Sequence, residues 1–276
     1  MKLLLLILYS SLTLAMNGFN LSAGLVPEAD IRRGGPPRDG IPSIDNPKFI
    51  DSKSALAKFT KRERAINVGN KLYPISILNW HEIVNDGENV ITYCPLCGTG
   101  IVFKSEGRVF GVSGLLYQSD VLLYDKQSDS LWSQLMLKAV TGKSKGKALM
   151  LVESRIVNLY KYLEDKPQSI VLSDKTGFFR DYKRDPYRGY EESKQIFFPI
   201  KHRDDRFFSK EWTILFWDKT KAYLVATSSA KSGVTYRGEK LLLKDGRVQC
   251  PSSKYKCISG YWFALRTFYP HGTVLE

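Results

Sequence analysis

Short apolar runs recur along most of the chain, and turn residues separate them about every ten positions. Runs rich in Val, Ile, Tyr and Phe between Gly, Asn or Asp residues are typical of β-strands joined as hairpins. The pattern predicts strands at residues 65–68, 71–73, 90–93, 101–103, 109–112, 121–124, 196–200, 213–217, 222–227 and 240–243, the last opposite Val248.

Fewer segments have helical spacing. Ser52 is predicted to cap a helix over residues 53–59, and the apolar positions of residues 153–163 recur at the helical period. Residues 74–84 fit either a helix that begins at Pro74 or a strand, and the helix is favoured. Because strands outnumber helices, the predicted fold class is α+β, a single domain with a mostly antiparallel β-sheet and a few helices.

The N-terminus indicates the compartment. Lys2 precedes an unbroken apolar run at residues 3–8, which is typical of a secretory signal peptide and too short to span a bilayer comfortably. We predict a signal peptide at residues 1–23, cleaved after Ala15 or Ala23; an uncleaved N-terminal anchor is the alternative. The mature protein is then exported, periplasmic or extracellular, with no transmembrane segment.

Prolines and glycines are dense from residue 24 to residue 47, where they predict an extended lead-in. No later linker is long enough to separate two domains, so residues 48–276 are predicted to form a single globular domain.

Composition narrows the function classes only slightly. The chain is 43% apolar and 25% charged, which excludes a disordered protein, and its net charge of +13 favours an anionic partner such as an anionic envelope component. A lysine run at residues 138–147 has small residues, not stacking aromatics, between its cations, so nucleic-acid binding is not predicted.

The most specific chemical signal is a pair of cysteines, Cys94 and Cys97, in the segment CPLCG between two predicted strands. A C-x-x-C turn that leads into a strand resembles a metal knuckle, and the nearest imidazole is His81. Two thiolates and an imidazole suit copper or zinc, so Cys94, Cys97 and His81 are the candidate ligands. Two alternatives stay open: a disulfide or reduced thiols that only brace the turn, and a redox-active thiol pair.

The other two cysteines, Cys250 and Cys257, enclose a polar loop. In an exported protein this spacing favours a local disulfide over metal ligation, while one zinc ion held by all four cysteines is the rival.

Several other polar and aromatic positions have a structural interpretation. Ser119 and Asp120 precede an apolar strand and are interpreted as turn residues rather than ligands. Trp80 and Trp132 are predicted to be core residues.

The sequence also resembles a known family. The matching blocks are DGIP at 39–42, NWHEIVND at 79–86, TYCPLCGT at 92–99, GVSGLLY at 111–117 and SLWSQ at 130–134. They are similar to the DUF3179 family, exported bacterial proteins whose biochemical role is unassigned. The resemblance implies the extent of the domain and little chemistry, and Cys250 and Cys257 lie outside its pattern.

Three functions follow from these observations, and whether the protein is an enzyme is left open. The first is a metal-binding or electron-handling exported protein. The second is a thiol-disulfide oxidoreductase with Cys94 or Cys97 as nucleophile. The third is a non-catalytic binding module of the cell envelope with structural cysteines.

Overall fold

The computed structural model describes residues 15–219 and 221–276, and antiparallel strands make up most of its regular structure. The predicted signal-peptide run at residues 3–8 lies outside the described residues. The fold is α+β with mostly antiparallel sheets, as the apolar pattern predicts.

The strands are short and are numbered here in chain order. They are β1 Ile31–Arg33, β2 Phe49–Asp51, β3 Arg64–Val68, β4 Lys71–Pro74, β5 Ile83–Asp86, β6 Asn89–Cys94, β7 Thr99–Lys104, β8 Phe110–Tyr117, β9 Asp120–Asp125, β10 Leu131–Ser133, β11 Lys138–Ala139, β12 Arg155–Asn158, β13 Ile170–Leu172, β14 Trp212–Asp218, β15 Lys221–Ala226, β16 Thr235–Tyr236, β17 Glu239–Lys240, β18 Leu243–Lys244, β19 Arg247–Val248, β20 Lys256–Tyr261 and β21 Thr273–Leu275.

Each α-helix in the described residues has at most seven residues. They are α1 Ser52–Lys58, α2 Ile75–His81, α3 Leu159–Asp165, α4 Thr227–Lys231 and α5 Trp262–Phe268, and a 3-10 turn spans Glu28–Asp30. Within the described part of the chain, no helix is both long and apolar enough to cross a membrane.

Three sheets meet near the cysteine pair. One has the order β1-β8-β9-β10-β11, a second is the meander β5-β6-β7, and a third has the order β20-β14-β15-β21. A fourth sheet has the order β12-β3-β4-β13-β2. The pairs β16-β17 and β18-β19 form two-stranded ribbons. The pairs β4–β13 and β15–β21 are parallel, and the other strand pairs in these sheets are antiparallel.

Turn residues account for the local hairpins. Gly69 has a φ of 56° in the two-residue turn between β3 and β4, and Gly87 has a φ of 60° between β5 and β6. These left-handed conformations are the ones that a two-residue hairpin turn requires. The hairpin predicted between residues 65–68 and 71–73 is confirmed, and the turn at Gly87 agrees with the alternative strand interpretation of residues 74–84.

Three predicted elements differ from the structure. Residues 196–200 form no strand, residues 155–158 form β12 instead of helix, and residues 240–243 are divided between the ends of β17 and β18. Ile156 of β12 pairs with Ile66 of β3, so sheet pairing overrides the helical spacing there. The helix α3 begins only after Asn158, whose side chain accepts a hydrogen bond from the Lys161 amide. Similarly α1 is capped by Asp51, one residue before the predicted cap.

The helix favoured for residues 74–84 is confirmed as α2, which occupies the first part of that segment. Residues 83–84 of the segment belong to β5, so the competing strand interpretation holds beyond Glu82.

Residues before position 24 contribute to the core. Phe19 and Leu21 are buried against Ile31, Leu115 and Tyr124, in the same cluster as Val26. β1 then pairs with β8, so part of the predicted lead-in belongs to a sheet.

This packing distinguishes the two predicted cleavage positions. Cleavage after Ala23 would remove two buried apolar side chains, whereas cleavage after Ala15 would keep them. We therefore expect the mature chain to begin at Met16, which N-terminal sequencing and intact mass of the exported protein would show. A mature chain that begins at Gly24 would contradict this expectation.

Candidate functional site

The two cysteines of the C-x-x-C segment lie at the turn between β6 and β7. Cys94 is the last residue of β6 and pairs with Thr99, and the Cys97 amide donates a hydrogen bond to the Cys94 carbonyl at 3.2 Å. Gly98 completes the turn with a φ of 63°, and a Cβ at this position would lie 2.8 Å from the Tyr261 ring. The turn therefore needs glycine both for its backbone and for its close packing.

Asp120 comes to the same point from the turn between β8 and β9. Tyr117 pairs with Asp120, which leaves Gln118 and Ser119 as a two-residue loop, and both have positive φ, 51° and 66°. Such a turn normally takes Asn and Gly, so this one holds two unfavourable side chains. Hydrogen bonds hold it in place: Lys201 N and Thr267 Oγ1 donate to Gln118 Oε1, and Ser119 Oγ donates to the Phe198 carbonyl.

The ligating atoms of Cys94, Cys97 and Asp120 all lie within 4.8 Å of one another. These three residues are at most 1% exposed. Both cysteines are free thiols, and the Cys97 sulfur donates to the Ser119 carbonyl at 3.4 Å. The site therefore brings two sulfurs and one carboxylate together away from solvent.

The hydrogen-bonding capacity of this site is incompletely used. The Leu135 amide donates to Asp120 Oδ2 at 2.9 Å, but Asp120 Oδ1 is buried with no hydrogen-bond partner in the described part of the chain. The same is true of the Tyr190 hydroxyl. Burial, and then the neighbouring Cys97 and Cys94, raise the pKa of Tyr190. Two unpartnered polar atoms beside two thiols are the features expected of a site that takes a further ligand.

The electrostatic environment disfavours negative charge. Burial raises the pKa of Asp120 to about 7 and that of the Cys94 thiol, and raises the pKa of Cys97 well above its usual value. Glu82 is also buried, and burial together with the Asp120 charge raises its pKa to about 8. Four acidic groups are thus gathered in a low-dielectric environment, where a cation would stabilise their ionised forms.

The buried side-chain amide of Gln134 connects the two strands on either side of the C-x-x-C turn. Gln134 accepts a hydrogen bond from Thr99 Oγ1 at 2.6 Å and donates to Thr92 Oγ1 at 2.8 Å. Since Thr92 lies on β6 and Thr99 on β7, this contact fixes the two strands that carry the cysteines. Gln134 immediately precedes Leu135, whose amide binds Asp120, so one segment orients both halves of the site.

His81 has a different environment from the one predicted. It is fully buried at the end of α2, and its Nδ1 lies 2.7 Å from the Pro42 carbonyl. Because a carbonyl only accepts, Nδ1 carries the proton and Nε2 accepts from the Tyr182 hydroxyl, also at 2.7 Å. Burial lowers the pKa of His81 and favours this neutral form. His81 is not in the group of close ligating atoms, and its ligand role stays a prediction.

The second cysteine pair forms the predicted disulfide, Cys250–Cys257. It joins the start of β20 to the loop before it, and neither sulfur belongs to the Cys94 cluster. The rival arrangement of four cysteines around one zinc ion is therefore wrong.

Asp120 is the site residue that the sequence interpretation missed, because a Ser-Asp pair before an apolar strand is a common turn pattern. The sequence does carry one signal for it: the two-residue loop Gln118-Ser119 contains no glycine. A strained turn of this kind often lies at a functional site.

The comparisons with known proteins identify the family of the chain. Residues 38–243 match the model of the family described as Protein of unknown function (DUF3179), and the chain belongs to that family. The matched region contains Cys94, Cys97 and Asp120 and ends before Cys250. Neither the comparison with curated proteins nor that with solved structures found a match.

Proposed function

We propose that this protein is an exported metal-binding protein in which Cys94, Cys97 and Asp120 hold one zinc or copper ion. The observation that carries the proposal is the buried group of two sulfurs and one carboxylate, within 4.8 Å of one another, with Asp120 Oδ1 unpartnered. Sulfur and carboxylate donors at this spacing suit a tetrahedral transition-metal ion. Asp120 takes the place that the sequence prediction gives to His81.

Charge supports the same conclusion. Two thiols and two carboxyls lie in one buried region, and no ion pair in the described residues includes Glu82 or Asp120. A divalent ion would supply the missing positive charge, and the ligands would lose their protons on binding. Metal affinity is therefore expected to rise with pH.

Burial argues against a thiol-disulfide oxidoreductase. A catalytic thiol is accessible and has a lowered pKa, whereas both thiols here are buried and have raised pKa values. The disulfide Cys250–Cys257 supports export, because such bonds persist in oxidising compartments.

Elemental analysis of the exported protein, purified without chelators, tests the proposal. We expect about one zinc or copper ion per chain. Replacement of the ion by cobalt is expected to give the intense near-ultraviolet absorption of thiolate ligation, and Cys94→Ser and Asp120→Asn are expected to lose most of the metal.

The matched control is Asp125→Asn. Asp120 and Asp125 lie at the two ends of β9 and are both buried, but Asp125 accepts hydrogen bonds from Ser128 and Trp132. Asp125→Asn should keep the metal. A parent protein that binds neither metal, even after incubation with zinc or reduced copper, would contradict the proposal, as would equal metal contents in the two variants.

A further inference from the structure

A strongly basic cavity of about 380 Å³ lies between β12, α3 and the ribbon β18-β19. Six cationic and two acidic side chains line it: Lys61, Arg62, Arg64, Lys161, Lys244 and Arg247, with Glu191 and Asp245. A concave surface with this excess of one sign concentrates ions of the opposite sign. The cavity is therefore suited to an anion.

Two arginines at the base of the cavity share a single carboxylate. Arg64 Nη2 donates to Glu191 Oε2 at 3.0 Å, and Arg247 Nη2 donates to Glu191 Oε1 at 2.8 Å. Among the residues that the structure describes, these are the only hydrogen bonds that the two guanidinium groups donate. Each group has five N–H donors, so most of their donors are available to a further anion.

The arginines are held in place before any ligand arrives. The Arg247 guanidinium lies 4.3 Å from the centre of the Trp212 ring, and each arginine side chain is only 26% exposed. Burial, and then the charge of Arg64, lower the pKa of Arg247. A second anion between the two guanidinium groups would reduce this repulsion.

A second cavity, lined by both apolar and polar side chains, borders the basic one. It has a volume of about 400 Å³, and Ile156, Trp212 and Gln249 line both cavities. Its apolar lining also includes Leu151, Val152, Ile214, Val248 and Ile258, and its charged lining includes Glu153, Arg155, Lys254 and Lys256. The two cavities together match a molecule with an anionic head and an apolar body.

We propose that the adjoining cavities bind an organic phosphate, with its phosphate oxygens on Arg64 and Arg247 and its apolar group against Ile156 and Trp212. Phosphate is favoured because its several oxygens can accept from two guanidinium groups at once. This site is separate from the proposed metal site and does not depend on metal binding.

Calorimetric titration of the full mature protein tests the proposal with three probes: inorganic phosphate, hexyl phosphate and hexanol. We expect hexyl phosphate to bind at least about tenfold more tightly than inorganic phosphate, because it buries its chain, and hexanol to bind weakest. Affinity for both phosphates should fall as salt is added.

Arg247→Gln is expected to weaken hexyl phosphate binding by about tenfold or more, since it removes charge-assisted hydrogen bonds. Lys143→Gln is the matched control, because Lys143 is an exposed cation outside both cavities and its loss changes the net charge equally. If Arg247→Gln does not fold, Lys244→Gln at the exposed rim should still weaken binding by about threefold.

Equal hexyl phosphate affinities in Arg247→Gln and Lys143→Gln would overturn the proposed site. Equal affinities for hexyl phosphate and inorganic phosphate would overturn the placement of the apolar group in the second cavity. Vesicles distinguish the two sources of the ligand: Arg247-dependent binding to phosphatidylglycerol but not phosphatidylcholine vesicles indicates a lipid, and hexyl phosphate binding without vesicle binding indicates a soluble ester. Either result supports the shared chemistry.

Discussion

The metal-free protein is expected to be less stable at about pH 8 than at about pH 5.5, with Asp120 alone contributing about 2 kcal/mol to the loss. Asp120 has a pKa of about 7 in the folded protein, whereas an unfolded aspartate titrates near pH 3.9. Between these values the folded state keeps a proton that the unfolded state has released. The free energy of unfolding therefore falls as pH rises through this range.

Glu82 also lowers the free energy of unfolding as pH rises, and it does so up to a higher pH because its pKa in the folded protein is about 8. Urea unfolding at the two pH values, with chelator present, measures the combined effect. Zinc added at the higher pH should restore stability, since the ion binds the ionised groups only in the folded state.

Asp120→Asn is expected to stabilise the metal-free protein at about pH 8, by up to about 4 kcal/mol, and to abolish most metal binding. The amide oxygen can still accept from Leu135 N, so the fold is retained while the buried charge is removed. A metal-free parent whose stability is constant or rises over this range would contradict the prediction, as would a destabilised Asp120→Asn variant.

The second large effect is expected for Trp132→Ala, at about 4 kcal/mol of destabilisation. Trp132 on β10 is fully buried, and its indole N–H donates to Asp125 at 2.8 Å. Its ring packs edge-on against that of Phe110, with 5.6 Å between the ring centroids. Truncation leaves a cavity and also removes a donor from a buried carboxylate. Urea unfolding with an unchanged m-value would measure the loss.

Trp80→Ala is the matched control for this prediction. Both tryptophans are predicted from sequence to be core residues, but Trp80 on α2 is only partly buried and donates to the Arg184 carbonyl. Its truncation should cost less than half as much. An equal or larger loss for Trp80→Ala would show that burial does not determine the difference.

The sequence predicts the hairpin that carries the cysteines because both of its determinants are local. β6 and β7 each contain a short continuous apolar run, which is typical of a strand buried on both faces, and the intervening CPLCG segment contains the glycine that the turn requires. The disulfide between Cys250 and Cys257 is predictable for the same reason, since only six residues separate them.

The composition of the candidate site is less predictable, because its members come from distant elements. Asp120 reaches Cys94 through the packing of two sheets, and no spacing rule connects positions so far apart. Closeness in sequence predicts His81 as a ligand, yet its two ring nitrogens are hydrogen-bonded to the Pro42 carbonyl and the Tyr182 hydroxyl. Proximity along the chain predicts hairpin partners well and sheet-to-sheet contacts poorly.

Residues 187–201 cover the turn between β8 and β9 and have a consequence for how the site assembles. Ser119 Oγ bonds to the Phe198 carbonyl, a contact between residues 79 positions apart, and Tyr190 and Phe198 pack with the cysteine cluster. Contacts at such separation form late, because a long loop must first close. We therefore expect the cysteines and Asp120 to assemble before residues 187–201 dock, and the proposed metal ion to enter in that interval. Loading during folding should be fast and exchange from the finished protein slow.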